Sequence, residues 1–155
     1  MAKSAAIPEK GTRQYIRTLI AHEAVHTRQK KSSFSKHLVE STIYEGVCDF
    51  VVYDLLQFPI EGEHHRFGES RECEVWKTFE RDLMAYHGQQ KIKWLYGGDH
   101  PNHGYPADMG YFVGRKIAAA YYASAKDKTQ ALKKLMTPKK YRRIFRESGY
   151  AGNCK

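Results

Sequence analysis

The 155-residue chain fits one compact domain, and its 41% hydrophobic content supports a modest single core without help from disulfides. Its formal charge of +9 is lopsided: residues 1–125 hold 16 Lys+Arg against 15 Asp+Glu, while residues 126–155 hold 10 against 2. The basicity belongs to the tail, so the rest of the chain is not a general polyanion binder, and the sequence holds no apolar run long enough to span a bilayer.

Gly11-Thr12 precedes apolar residues at Tyr15, Ile16, Leu19, Ile20 and Ala24, which follow the 3.6-residue period and predict an amphipathic helix from about Thr12 to Lys31, with those residues as its inward side. Ser35 then caps a second helix running to about Phe58, before Pro59, with Leu38, Ile43, Val47, Phe50, Val51, Leu55 and Leu56 as its apolar positions. Gly62, His64, His65 and Gly68 read as a polar loop with solvated histidines. A third helix follows near Glu69–His87, carrying Cys73, Trp76, Phe79, Leu83 and Met84 on one side. Residues 88–107 have loop composition, pinned to the body by Trp94, Leu95 and Tyr96. A fourth helix is expected from about Pro106 to Ala125, where Gly110 and Gly114 permit close packing. Asp127 and Thr137-Pro138 then start two short helices, Lys128–Met136 and Pro138–Glu147. No segment alternates strictly, so the expected fold is all-α or nearly so: a single domain over 1–155 with a basic helical segment at 126–155.

His22-Glu23-Ala24-Val25-His26 is an HExxH motif. Four helical residues return to within about 40° of the starting direction, so both imidazoles share a face and can bind one Zn²⁺, while Glu23, about 100° away, reaches a water on the metal as a general base would. A third ligand is supplied by Tyr44-Glu45-Gly46-Val47-Cys48-Asp49: Glu45 follows His26 on the next helix, with Glu40 as a weaker rival. Asp49 lies one turn beyond Glu45, where its carboxylate can accept the free N–H of a ligand histidine.

HExxH followed by ExxxD on the next helix resembles the gluzincin metallopeptidases. AHEAVHTRQ, YEGVCDF and PADMGYFVGRKIA resemble, within them, a family of predicted zinc-dependent proteases, over about Ile16 to Tyr150. The resemblance implies His22, His26 and Glu45 as ligands of one Zn²⁺ ion, Glu23 as general base and Asp49 as support. It marks GYFVGRK as a signature whose Tyr111 would donate to the oxyanion, ahead of Tyr105 and His103. Gluzincins carry a β-sheet before this helix; with 21 residues ahead of His22, only the helical half of a zincin-like domain is expected, either as a fragment or as a reduced domain.

The function expected from these residues is zinc-dependent hydrolysis of peptide bonds in a peptide or protein substrate by metal-activated water. The alternative is a non-catalytic metal-binding module whose basic tail holds an acidic partner. Nucleic acid is disfavoured as a partner, since KKLMTPKKYRRIFR reads better as a solvated helix face. His64, His65, His100 and His103 lack the regular spacing of a second metal site. Cys48, Cys73 and Cys154 are odd in number and far apart, so they read as free thiols. With no apolar leader in MAKSAAIPEKGTRQY, a cytoplasmic location is expected for the chain as given.

Overall fold

The computed structural model describes residues 9–30, 37–60, 62–84, 92–96 and 104–154. It is all-α, with no strand among the described residues. The helices are α1 (Glu9–Arg28), α2 (Leu38–Asp49) continued by a π-helical turn (Phe50–Leu55), α3 (Glu63–Ser70), α4 (Glu72–Asp82), α5 (Met109–Ser124), α6 (Lys128–Leu135) and, after a 3₁₀ turn (Pro138–Lys140), α7 (Tyr141–Ser148). No helix among the described residues is long and apolar enough to cross a membrane.

The centre is the crossing of α2 and α5, both buried along most of their length. A side chain at Gly114 would collide with the Thr42 carbonyl oxygen, and one at Gly46 with the Gly114 backbone. The two helices therefore meet backbone to backbone at Gly114, which permits the close packing expected of it, while Gly110 faces the Trp94 carbonyl and the Leu95 side chain instead. Leu38, Ile43, Val47, Phe112, Val113 and Ile117 fill the space around the contact and are fully buried. Trp94 and Leu95 do pin their segment to this core, within a helical turn at residues 92–94, and the Asp127 side chain accepts from the Gln130 N–H as the N-cap of α6.

Several expectations change. In α1 the period is right but the face is wrong: Tyr15, Ile16, Leu19 and Ile20 are 60, 46, 44 and 63% exposed, while Thr18, His22, Val25 and Gln29 turn inward. The inward polar groups are retained because they find partners inside, which a hydrophobic pattern does not reveal. The second helix begins at Leu38, and Ser35 lies outside the described residues. Its continuation past Asp49 is π-helical, which places Phe50 and Val52 inside and leaves Leu56 exposed. The polar loop at Gly62–Gly68 is helix α3, and its His65 is fully buried. The third helix is shorter than expected and Met84 is exposed.

Cys73 and Cys154 form a disulfide, with Cα atoms 4.8 Å apart, and Cys48 alone is a free, buried thiol. The pairing arises because the C-terminal turn lies on α4: Gly152, at φ +75°, leaves no room for a side chain beside Trp76, and Tyr150 meets the same ring edge-on at 5.0 Å. The expectation of three free thiols is thus corrected, and with it the support that it lent to a cytoplasmic location.

The α2/α5 crossing yields a prediction. Gly114→Ala should force the two backbones apart and cost about 3 kcal/mol or more of stability. Chemical denaturation of the variant against the parent chain measures it, and a change under about 0.5 kcal/mol would contradict the packing described.

Candidate metal centre

The centre lies where α1 crosses the middle of α2. His22 and His26, one helical turn apart, and Glu45 from α2 bring three atoms together: His22 Nε2 to His26 Nε2 is 3.1 Å, His26 Nε2 to Glu45 Oε2 is 3.1 Å and His22 Nε2 to Glu45 Oε2 is 3.4 Å. Ligands about 2.0–2.1 Å from a tetrahedral zinc ion stand about 3.3–3.4 Å from one another, so the triangle has the size of one face of such a tetrahedron.

What the far side of each ring touches decides which nitrogen carries the proton. His22 Nδ1 lies 2.7 Å from Asp49 Oδ1, an acceptor, so Nδ1 donates and Nε2 presents its lone pair to the centre. His26 Nδ1 lies 2.7 Å from Gln29 Oε1. The Gln29 amide nitrogen donates to the Tyr44 carbonyl at 2.9 Å, which turns the amide oxygen toward His26 and makes Nδ1 the donor there too. The Glu45 carboxylate is divided: Oε1 accepts from the Tyr96 hydroxyl at 2.8 Å, leaving Oε2 for the centre. Tyr44 stacks on the His26 ring, with centroids 4.7 Å apart. Three electron-rich atoms thus face one point.

The electrostatics say the same. Burial disfavours charge on His22, but the Asp49 and Glu45 carboxylates outweigh it and raise its pKa to about 9. Burial likewise pushes the Glu45 carboxyl up, yet hydrogen bonds with His22, His26 and Tyr96 bring it down to about 2. Asp49 is held below the usual carboxylate range by His22 and His65 despite its burial. Glu45 and Asp49 together carry the two negative charges that would balance a divalent cation.

Cys48 is within 4.8 Å of the two histidines. Its sulfur lies 3.4 Å from His26 Nδ1, on the side of the ring away from the triangle, and burial with nearby carboxylates pushes the thiol pKa up. Of the other residues singled out in the sequence, Glu23 is exposed. Tyr111 is half-buried, its ring 5.9 Å from that of His22. Glu40 is turned away to Arg142 at 3.3 Å, and the Tyr105 hydroxyl pairs with Thr78 at 2.9 Å. His100 and His103 lie outside the described residues.

Sequence reasoning missed four contributors. Gln29 and Tyr44 fix His26, Tyr96 holds Glu45 from a backbone with φ +62°, and His65 meets Asp49 at 2.9 Å. Gln29, on the same face as the motif, was within reach of a helical projection; the other contacts join separate parts of the chain.

A family model described as gliding motility protein GldB matches residues 7–152, nearly the whole chain, and the chain belongs to that family. No curated protein and no solved structure matches it. The family overturns the resemblance to gluzincins and to predicted zinc-dependent proteases, and the peptide-bond hydrolysis, hydrolase class and peptide substrate that came with it: its description is one of motility. The physical reason is visible in the motif. HExxH and ExxxD specify how two helices bring ligand atoms together, a requirement shared by any metal clamp, whereas hydrolysis needs more than the clamp. The general-base role of Glu23 and the oxyanion role of Tyr111 were defined by that reaction and are not carried forward.

The shifts fix a pH dependence for the metal-free protein. His22, raised to about 9, contributes stability that is fully present below about pH 6.5 and is lost as pH rises through 9; Glu45, lowered to about 2, contributes stability that is lost only as pH falls toward 2. Thermal unfolding in a chelator should therefore show Tm falling between pH 6.5 and 9, and a Tm that rises over this interval would contradict the arrangement.

Proposed function

We propose that this chain is a metal-holding helical module of a gliding motility protein, in which one divalent ion, with zinc the best fit, is gripped by His22, His26 and Glu45 and locks α1 onto α2. The role is that of a structural and binding domain rather than an enzyme. The observation that carries the reading is the 3.1, 3.1 and 3.4 Å triangle whose two imidazoles have their proton-bearing nitrogens turned outward by Asp49 and Gln29. Two neutral nitrogens and one carboxylate oxygen form a donor set suited to zinc.

A reason for such a clamp lies in α1 itself. Its apolar stripe of Tyr15, Ile16, Leu19 and Ile20 is exposed, so burial of side chains holds the helix less firmly than it holds α2 or α5. Metal coordination supplies a fixed attachment that packing does not. The cysteines support an exported location. A disulfide between residues 81 positions apart, tying the C-terminal turn to α4, suits an oxidising compartment, in keeping with export from the cytoplasm.

The test is metal analysis of the purified protein together with melting before and after chelation. One zinc per chain is expected, with a clear drop in Tm when it is removed. His22→Ala and Glu45→Ala should each abolish stoichiometric uptake, while Glu23→Gln, altering an exposed side chain, should retain the ion and the parent Tm. Because zinc must displace the proton held at His22, apparent affinity should rise about tenfold per pH unit toward pH 9. Absence of bound metal, or uptake undiminished in the His22 variant, would overturn the reading. In cells that glide, replacing the family member by a His22→Ala form should impair surface spreading, and normal spreading would separate the metal from motility.

A further inference from the structure

We infer that His65 is a positioning residue for the metal centre, acting from α3 through Asp49 on His22; the inference rests on the assignment of His22, His26 and Glu45 as ligands. Asp49 is the hinge of this relay. Its Oδ1 receives the His22 Nδ1 proton at 2.7 Å and its Oδ2 receives the His65 Nε2 proton at 2.9 Å. The Asp49 side chain is 8% exposed, so water is a poor substitute for either donor. With one donor alone, the carboxylate can rotate about its last bond and carry the His22 ring with it. Donors from α1 and α3 on opposite oxygens fix its plane, hence the direction of the His22 lone pair.

The setting of His65 argues against a packing role alone. The residue is fully buried, enclosed by the rings of Tyr53, His64 and Phe112 with centroids 4.9, 4.3 and 6.2 Å away. Its Nδ1 is buried without a hydrogen-bond partner. A buried polar atom left unsatisfied costs stability, and Leu or Phe would fill the space among the Tyr53, His64 and Phe112 rings without that cost. What the imidazole provides that they do not is the Nε2–H aimed at Asp49. The same unsatisfied Nδ1 fixes the tautomer, since the proton is held where an acceptor exists. The chain thus runs His65, Asp49, His22 and then the metal, with each link a hydrogen bond of 2.9 Å or less up to the ligand.

Cobalt(II), whose visible absorption reports ligand geometry, is the probe, added to the metal-free full chain and titrated against a competing chelator. The parent protein should take up one equivalent. His65→Leu should bind more weakly by roughly 10- to 100-fold with an altered visible band. His65→Gln, which retains an N–H donor, should recover most of the affinity and the parental band. Equal affinity in the parent and His65→Leu, or a loss in His65→Leu that His65→Gln does not recover, overturns the relay. So does a His65→Leu variant whose metal-free and metal-loaded forms lose stability equally, the signature of packing alone. If His65→Leu does not fold, proton NMR of the zinc-loaded parent decides: an exchange-protected imidazole N–H on His65 Nε2 is expected, and its absence refutes the relay. Failure of the parent itself to bind cobalt strikes the ligand assignment, whereas cobalt uptake by parent and variant alike strikes only His65.

Discussion

Three electron-rich atoms held within 3.4 Å of one another in a largely buried place form the constraint around which this domain is arranged. Left to themselves, two imidazole lone pairs and a carboxylate oxygen repel. The protein nonetheless turns both Nδ1–H groups outward and commits Asp49, Gln29 and Tyr96 to keeping the inner atoms in place. A positive charge would make that arrangement favourable: a proton in the metal-free protein or, under the proposed function, a divalent ion. Glu45 and Asp49 supply the two negative charges that would make a dication neutral in its surroundings.

Rigid elements hold the constellation. Gly46 follows Glu45 directly, and the backbone contact between Gly46 and Gly114 anchors this turn of α2 against α5. Phe112 of α5 lies beside His65 and packs so closely on Gly68 that α3 has little freedom to move. The same crossing that closes the core therefore also sets Glu45, Asp49 and, through α3, His65. By contrast α1 carries His22 and His26 on a helix whose apolar stripe faces solvent, and under the proposed function it gains most from a clamp. The disulfide at the opposite end of the chain, between α4 and the C-terminal turn, closes the fold independently of the metal centre.

The parts of this picture that depend on local geometry were readable in the sequence. HExxH and ExxxD are helical spacings, and turning residues through 100° each places His22 beside His26 and Glu45 near Asp49 without knowledge of the rest. Helix starts with strong chemistry, such as Asp127, were readable for the same reason. The inward face of α1 was not: periodicity locates stripes, and here the buried stripe is the polar one, paired through Gln29 and the histidines. His65 sits among Gly, Glu, His and Arg and resembles a loop by composition; only tertiary packing reveals that it is buried. The Cys73–Cys154 bond spans 81 residues and left no local trace. The motif also carried a chemical suggestion that outran its physical content, since the spacing defines which side chains can meet, while the family match overturned the reaction read from it.

The most direct test of the central claim is the zinc X-ray absorption spectrum of the metal-loaded protein, because it reads the ligand atoms themselves. The account predicts a first shell of nitrogen and oxygen only, at about 2.0–2.1 Å, with the outer-shell scattering of two imidazoles. A sulfur shell near 2.3 Å would place Cys48 on the metal, and scattering from fewer than two imidazoles would remove one histidine from it. Either result would contradict the His22, His26 and Glu45 clamp.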